Sequence, residues 1–426
     1  MKILLINNFH YHRGGTERAY FDVAKILEEN GHEVAFFSSN HFKTIPSRWE
    51  KYFVKYHELG EGARHGFFGK IRIVLRIWYN FEARRKLREL LKEFNPDVAH
   101  LHNVFHHLSF SVINELKSQN IPTVMTLHDF QFVCPNNILF SNGKIWEDSK
   151  NGKLYRCVSE KCVHNSYLKS LVCVIENCLH RALKTIDKVD VLTAPSNFLS
   201  EKAKEFGFEG EIIKLPNPVF IEDDSKIGDS LFGDEISEEY ILYLGRLSEE
   251  KGVDVLIQAF SKLKTKQRLV VMGDGPLKKN LMDLVKKLKI AGRVDFLGYD
   301  KSKHTELQKH AEVIVSPSMC YENAPYGVLD AMSLKKPVIC ANLGGSKEII
   351  EDGRNGMLFE AGNRDQLARK IEFALDNKEE MERMAQRGYL DVIRNNSSEV
   401  FLNRVMAIYQ QAISKKKSSK NGKKES

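Results

Sequence analysis

The sequence predicts an α/β protein built of two doubly wound domains. Strand-like apolar runs occur in two series, and helix-like patterns such as residues 16–30 lie between them. This alternation is typical of βαβ units with parallel strands. The first series comprises residues 2–6, 33–38, 98–101, 123–127, 191–194 and 212–215, and the second comprises 240–244, 269–271, 294–297, 313–315 and 337–341.

The chain length also supports two domains, because each half of the 426 residues is long enough to bury its own core. We place an amino-terminal domain at residues 1–217, with a cysteine-containing insertion at 134–178, and a carboxyl-terminal domain at 240–396. Residues 218–239 are acidic and contain Gly and Ser, which predicts a linker. The Lys-rich residues 414–426 are predicted to form a disordered tail.

The composition favours a soluble globular protein, with 42% hydrophobic and 28% charged residues. The chain has no run of roughly eighteen apolar residues, so no transmembrane helix is predicted. The apolar part of residues 1–8 is too short for a signal peptide and is typical of a first strand. We therefore expect a cytoplasmic protein.

The net charge of +8 is unevenly distributed. Residues 64–90 carry eight Lys and Arg against two Glu, and residues 415–425 carry six Lys against one Glu. Because the basic charge is confined to these patches and no recognised module occurs, nucleic acid is not expected as a partner. Residues 67–81 interleave cations with apolar residues, which fits either a core-packing helix with a basic outer face or a surface helix on anionic lipid. The Lys-rich tail adds either membrane attraction or only solubility.

The segment from Glu322 to Asp330 is the most informative stretch of the chain. It follows a strand-like run and opens a helix-like one, so its two carboxylates, separated by seven residues, can face one ligand. Carboxylates accept hydrogen bonds from hydroxyls, and Gly327 lets backbone N–H groups approach an anion at the helix start. A ligand with hydroxyls and an anion suggests a nucleotide sugar. The candidate donor-binding residues here are Glu322, Asn323, Ala324, Tyr326, Gly327, Val328 and Asp330.

Two further loops follow the first two predicted strands of the second series. In the first loop, Gly245 precedes Arg246, and Lys251 lies five residues after Arg246, so two cations can straddle a diphosphate. The second loop contains Gly273 and Asp274. Alone, each loop fits an ordinary turn. Together with the acidic segment they lie at the carboxyl ends of successive strands, where open α/β sheets bind ligands.

The order and spacing of these motifs resemble glycosyltransferase family 4, whose members are retaining, nucleotide-sugar-dependent enzymes of the GT-B fold. The matching segments are residues 245–252, 273–275, 322–330 and 344–359, and the amino-terminal half also fits. The resemblance implies two Rossmann-like domains that face a central cleft and a last helix, at 397–413, that returns to the first domain. It also implies that no metal or other cofactor is required for catalysis.

The resemblance also implies roles for the charged residues of the second domain. Arg246 and Lys251 would bind the donor diphosphate, and Glu322 would bind hydroxyls of the donor sugar. The second acid of the motif would bind the nucleotide ribose. This acid is usually Glu in the family, whereas here it is Asp330, which keeps the charge but is shorter by about 1.5 Å.

Two features of the first domain complete the candidate site. Gly14 and Gly15 follow the first predicted strand and open a helix, where phosphate can approach the backbone closely. The resemblance makes this the loop that closes over the donor phosphates. His128 matches a family position that contacts the donor sugar, a role suited to a neutral imidazole that both donates and accepts.

No catalytic metal site is predicted. Four histidines lie within residues 100–107, but the strand alternation of His100 and His102 also fits ordinary packing or an acceptor cleft. In the insertion, Cys157 and Cys162, with Cys134 or His164, are candidates for a structural zinc site. Buried free thiols are the default interpretation, since cysteines in the cytosol are mostly reduced.

Together, these features predict a retaining transferase that moves a sugar from a UDP- or GDP-linked donor to an acceptor hydroxyl. The predicted catalytic residues are Glu322, His128, Arg246 and Lys251. The expected acceptor is a lipid-linked or envelope glycan, with peripheral contact at the inner face of the plasma membrane through residues 64–90 and the tail. Two alternatives remain open, a nucleotide-sugar 2-epimerase of the same fold and a non-catalytic partner subunit.

Overall fold

The computed structural model describes residues 1–58, 66–221, 239–300 and 303–421. The chain divides into two compact units. The first unit consists of Met1–Ile138, Glu147–Pro218 and Glu399–Ser426, and the second unit consists of Leu139–Trp146 and Val219–Ser398. Most of the predicted linker, residues 222–238, lies outside the described residues.

Strands and helices alternate along both units. The strands are β1 (Lys2–Phe9), β2 (Glu33–Asn40), β3 (Val54–Lys55), β4 (Val98–Leu101), β5 (Thr123–Thr126), β6 (Phe140–Ser141), β7 (Lys144–Ile145), β8 (Val191–Ala194), β9 (Ile212–Lys214), β10 (Tyr240–Leu244), β11 (Arg268–Met272), β12 (Val294–Leu297), β13 (Ala311–Ser316), β14 (Val338–Ala341) and β15 (Met357–Phe359). The α-helices are α1 (Gly15–Glu29), α2 (Phe67–Trp78), α3 (Phe81–Phe94), α4 (Ser111–Ser118), α5 (Tyr155–Ser159), α6 (Tyr167–Ala182), α7 (Asn197–Glu205), α8 (Val253–Phe260), α9 (Lys278–Lys287), α10 (His304–His310), α11 (Tyr326–Ser333), α12 (Ser346–Ile349), α13 (Arg364–Asp376), α14 (Lys378–Asn396) and α15 (Ser398–Asn421).

Each unit contains one parallel sheet of doubly wound topology. The strand order is β3-β2-β1-β4-β5-β8-β9 in the first unit and β12-β11-β10-β13-β14-β15 in the second. In both sheets the winding direction reverses beside the first strand, at the β1/β4 and β10/β13 pairs, which are the topological switch points. The predicted α/β class with two Rossmann-like folds is therefore confirmed.

The strands are continuous apolar runs because both faces of each sheet are covered. In β10, Ile241 and Tyr243 pack into one buried cluster of the second unit. Tyr240 and Leu242 pack into the other cluster. Since side chains alternate along a strand, an unbroken apolar sequence is what a sheet buried on both faces requires.

The last helix, α15, packs against the sheet of the first unit. The hydroxyl of Tyr409 lies 2.8 Å from His100 Nδ1, and both residues are fully buried. The prediction of a disordered tail from residue 414 is wrong for residues 414–421, because α15 continues to Asn421. Lysine is a good helix former, and Lys415 donates to the carbonyl of Asp190 at 3.3 Å.

None of the helices among the described residues combines the length and the apolar character needed to cross a membrane.

Candidate active site

The predicted donor-binding residues of the second unit lie on the loops at the carboxyl ends of β10, β11 and β13, beside the switch point, or in helix α11, which follows the last of these loops. The first two loops touch through their backbones. The N–H of Gly245 donates to Met272 O at 3.1 Å, and the N–H of Leu247 donates to Asp274 O at 2.9 Å. A Cβ at Gly273, where φ is 156°, would lie 1.8 Å from Gly245 O, so this approach requires glycine.

Lys251 and Glu322 form the central contact of the site. Lys251 Nζ donates to Glu322 Oε1, and Ser318 Oγ donates to the same oxygen at 2.8 Å. Burial alone would raise the pKa of Glu322, but the ammonium of Lys251 outweighs it, so the pKa is lowered. Burial alone would lower the pKa of Lys251, but Glu322 outweighs it, so that pKa is raised. Both side chains are therefore charged at neutral pH.

The loop after β14 holds the Glu322 turn in place. The N–H of Gly345 donates to Glu322 O at 2.6 Å. A Cβ at Gly345 would lie 2.0 Å from Asn323 O, so a larger residue would displace the turn. Residue 345 lies in one of the segments that carry the resemblance, but no role in the site was predicted for it. Ser318 was not predicted either, and its sequence signal is a hydroxyl four residues before Glu322.

Arg246 differs from Lys251 in being exposed. The hydroxyl of Tyr243 donates a hydrogen bond to the carbonyl of Arg246 at 2.9 Å, which holds the backbone in place. Within the part of the chain that the structure describes, no carboxylate forms an ion pair with the guanidinium of Arg246. Its charge is therefore available to an anionic ligand, whereas the charge of Lys251 is balanced by Glu322.

Helix α11 begins at Tyr326, directly after the Glu322 turn, and no side chain caps its amino terminus. The positive end of its dipole therefore adjoins the Lys251–Glu322 pair in sequence and fold. Asp330 lies in this helix and is 9% exposed, which agrees with its predicted position one turn in. Val328 is fully buried in the apolar core, so its side chain is not available to a ligand.

Gly14 and Gly15 belong to the first unit and lie where α1 begins. Gly14 is the N-cap residue and no side chain caps the helix, which leaves backbone N–H groups of the first turn accessible to an anion. Glu17 follows in the first turn, accepts a 3.4 Å hydrogen bond from Asn7 Nδ2 and has a pKa raised by burial.

His128 belongs to a histidine cluster in the first unit. Its Nε2 lies 2.9 Å from Nδ1 of His102. Burial lowers the pKa of His128 to about 4, so its ring is neutral at pH 7. Both nitrogens of His100 have protein partners, Tyr409 and Thr126, which identifies His100 as a packing residue.

The candidate zinc set in the insertion is not formed, and the default expectation of buried free thiols is wrong for two of its three cysteines. Cys157 and Cys162 form a disulfide, with Cα atoms 4.8 Å apart. The turn after α5 brings them together, because the N–H of Cys162 donates to the carbonyl of Cys157 at 2.9 Å. Cys134 is a buried free thiol whose Sγ lies 3.1 Å from Ser149 Oγ.

Comparison with known proteins agrees with the fold and the motifs. Residues 233–391 match the family model "Glycosyl transferases group 1", and residues 13–223 match "Glycosyltransferase Family 4". The chain is 24% identical over 417 residues to the N-acetyl-alpha-D-glucosaminyl L-malate synthase of Bacillus anthracis, covering 96% of both chains.

The fold is shared with solved structures, and two of them illustrate the similarity. Sucrose-phosphate synthase from Thermosynechococcus elongatus superposes with a TM-score of 0.70 at 17% identity, covering 97% of this chain and 99% of that one. Anabaena HepE in complex with UDP and glucose superposes with a TM-score of 0.64 at 18% identity, covering 96% and 99%.

Proposed function

Because the chain belongs to glycosyltransferase family 4, we propose that it moves a sugar from a UDP- or GDP-linked donor to an acceptor hydroxyl with retention at the anomeric carbon. The chain is a glycosyltransferase, and the choice of donor and acceptor is the proposed part. The Lys251–Glu322 contact beside the β10/β13 switch point is the observation that carries the proposal.

The Lys251–Glu322 pair offers one charged group to the donor sugar and one to the donor diphosphate. The carboxylate of Glu322 can accept hydrogen bonds from sugar hydroxyls, while Lys251 and the exposed Arg246 can bind the diphosphate. In this proposal, negative charge develops on the diphosphate as its bond to the anomeric carbon breaks. Arg246, Lys251 and the amino terminus of α11 would stabilise that charge.

Retention follows if the acceptor reacts on the face from which the diphosphate departs. The acceptor oxygen then bonds to the anomeric carbon, and its proton passes to an oxygen of the departing phosphate. The sequence motifs assign none of the residues predicted for the site as a covalent nucleophile, which favours this one-face reaction. His128, neutral at pH 7, would act by hydrogen bonding to the sugar.

Apolar exposure on α2 and α6 supports a lipid-linked acceptor. Phe68, Ile71 and Leu75 are 84%, 43% and 56% exposed and follow helical spacing on α2. The indole of Trp78 donates to Val172 O on α6 at 3.3 Å, which joins the two helices. The exposed apolar residues of α6 are Tyr167, Leu168, Leu171 and Ile175. Together with exposed cations such as Lys70, this surface suits the interface of an anionic membrane.

The membrane contact can be tested by flotation with anionic and with zwitterionic vesicles. The double variant Phe68→Ser, Leu75→Ser should lose binding to anionic vesicles. Leu390→Ser, which removes from the second unit an apolar side chain that is 51% exposed, close to the 56% of Leu75, should retain it. Equal flotation of all three proteins would reject α2 as a membrane surface.

The donor can be identified by thermal unfolding with UDP-, GDP- and ADP-sugars. A ligand at one hundred times its dissociation constant stabilises the fold by about 2.7 kcal/mol. We expect a shift with one donor that Glu322→Ala reduces and that the exposed control Glu372→Gln preserves. A shift that survives Glu322→Ala unchanged would contradict the role of Glu322.

The two alternatives predict different products. A 2-epimerase would convert the sugar of the nucleotide without an acceptor, which NMR of the donor alone would detect. A non-catalytic subunit would bind nucleotide weakly and show no turnover. The chain has Arg246, Lys251 and Glu322, and the last two form an ion pair. The presence of all three residues favours a catalytic protein over a non-catalytic subunit.

A further inference from the structure

A second cluster of chemically active side chains lies in the first unit. Its members on α6 are Cys173, Glu176, Asn177 and His180. Counted from Cys173, the other three lie three, four and seven residues further along the helix, so all four share one helical face. All four line a cavity of about 360 Å³. Nothing in the proposed transfer reaction uses this cavity.

Three potential metal ligands converge there. A ring nitrogen of His106, Sγ of Cys173 and a carboxylate oxygen of Glu176 all lie within 4.8 Å of one another. His106 Nδ1 is 3.0 Å from Glu176 Oε2. Around zinc, with bonds of about 2.0–2.3 Å, tetrahedral ligand atoms lie about 3.3–3.8 Å apart, so small side-chain movements suffice.

The same cavity contains buried polar atoms that lack a hydrogen bond to any described residue. They are Glu176 Oε1, Asn177 Oδ1 and His180 Nε2. The three residues are 4%, 6% and 7% exposed. A buried carboxylate oxygen without a donor is costly, and the arrangement therefore calls for a cation or a cation-bound water.

We propose that His106, Cys173 and Glu176 bind a divalent transition-metal ion of the zinc class. Thiolate and imidazole ligands select such ions over Mg²⁺ and Ca²⁺, which prefer oxygen. The three protein ligands leave a fourth position that water fills. The ion takes the place of the proton between His106 Nδ1 and Glu176 Oε2.

The surroundings of His106 fit a ligand. The Gln131 amide lies 2.5 Å from His106 Nε2. A metal on Nδ1 leaves the ring proton on Nε2, so the Gln131 amide, rotated to present its oxygen there, would accept that proton and fix the ring while Nδ1 faces Glu176. The ion would connect the loop after β4 to α6, and α6 carries part of the exposed apolar surface. We expect it to stabilise this junction, and its binding is independent of the donor site of the second unit.

Cobalt binding tests the proposal directly. The full-length protein, stripped with chelator and titrated with Co²⁺, should bind an equimolar amount and develop a near-ultraviolet thiolate-to-cobalt absorption band. Cys173→Ser should abolish the band, and Glu176→Gln should weaken affinity at least tenfold. Cys178→Ser, which removes an exposed free thiol from the same helix, should leave both unchanged.

Circular dichroism of each variant verifies that it is folded. If Cys173→Ser does not fold, thiol alkylation of wild-type protein with and without Zn²⁺ serves instead, and zinc should protect Cys173. A wild-type protein without the band, or a band that Cys173→Ser retains, overturns the proposal and leaves an ordinary His106–Glu176 ion pair. Donor-induced thermal shifts should be the same with and without the metal, which separates this test from that of the transferase site.

Discussion

Lys251 Nζ donates a hydrogen bond to Glu322 Oε1 across 71 residues of sequence. The loop after β10 and the turn after β13 meet there because β10 and β13 are neighbours in the sheet. The pair places a cation for phosphate next to an acceptor for hydroxyls, which is the combination that a nucleotide sugar requires. Because the two charges balance each other, substitutions of the charged residues at this site should affect stability and activity in different ways.

Arg246→Ala should lower turnover at least tenfold, a loss of about 1.4 kcal/mol of transition-state stabilisation. The reason is that Arg246 supplies positive charge that no described carboxylate balances. Because the side chain is exposed, the melting temperature should stay unchanged. The exposed Arg369→Ala on α13 is the matched control. Near wild-type turnover of Arg246→Ala would show that the diphosphate lies elsewhere.

Lys251→Met should destabilise the second unit by about 1–3 kcal/mol, because it leaves the carboxylate of Glu322 without its cation. Adding Glu322→Gln should recover most of that stability, since neither charge then remains unpaired. Turnover should stay low in Lys251→Met, in the single variant Glu322→Gln and in the double variant. Urea unfolding together with activity assays measures both effects. Additive stability losses in the double variant would mean that the two charges do not interact.

Glu115 should make the stability of the first unit depend on acid pH. Burial opposes ionisation, but hydrogen bonds from Arg88 and Arg84 lower the pKa of Glu115 from 4.5 to about 2. The unfolded chain then binds the extra proton, so the stabilisation is complete above pH 4.5 and is lost as pH falls towards 2. It amounts to about 1–3 kcal/mol, allowing for the partly exposed arginines.

Urea unfolding at a series of pH values would test this dependence. Glu115→Gln should remove part of the acid-induced loss, and the exposed Glu372→Gln should not. An unchanged acid dependence in Glu115→Gln would contradict the predicted ion pairs.

Tyr409→Phe should loosen α15. The substitution removes the hydroxyl that lies 2.8 Å from the buried His100 Nδ1, which costs about 1–3 kcal/mol. Hydrogen exchange of α15 should accelerate and the melting temperature should fall. Tyr299→Phe, at a residue that is 64% exposed, should change neither. Unaltered exchange in Tyr409→Phe would mean that packing alone holds the helix.

His128 should remain neutral through the physiological range. Burial lowers its pKa to about 4, so the folded chain resists its protonation while the unfolded chain, with a pKa near 6.5, does not. Its contribution therefore lowers stability as pH falls from 6.5 towards 4. An NMR titration of its ring that showed a midpoint above pH 6 would contradict this.

The sequence alone determined the fold class and the loops of the donor site. Short unbroken apolar runs bounded by turn residues indicate strands buried on both faces, so β1 and β10 could be predicted directly. The glycines and charges that follow β10, β11 and β13 were readable because strand ends carry ligands in open sheets. The two-residue β3 and the β6–β7 hairpin were missed, since two residues give no periodicity.

Tertiary structure decided what depends on contacts between distant residues. From the sequence, a phosphate partner is predicted for Lys251. The ion pair between Lys251 and Glu322 is seen only in the folded structure. The sequence grouped Cys157 and Cys162 with Cys134, whereas a turn joins the first two in a disulfide. It offered no reason to bring His106 to Cys173 and Glu176, because the loop after β4 and a face of α6 meet only in the folded unit. Spacing along the chain predicts local structure, but which charges and thiols meet is set by packing of whole elements.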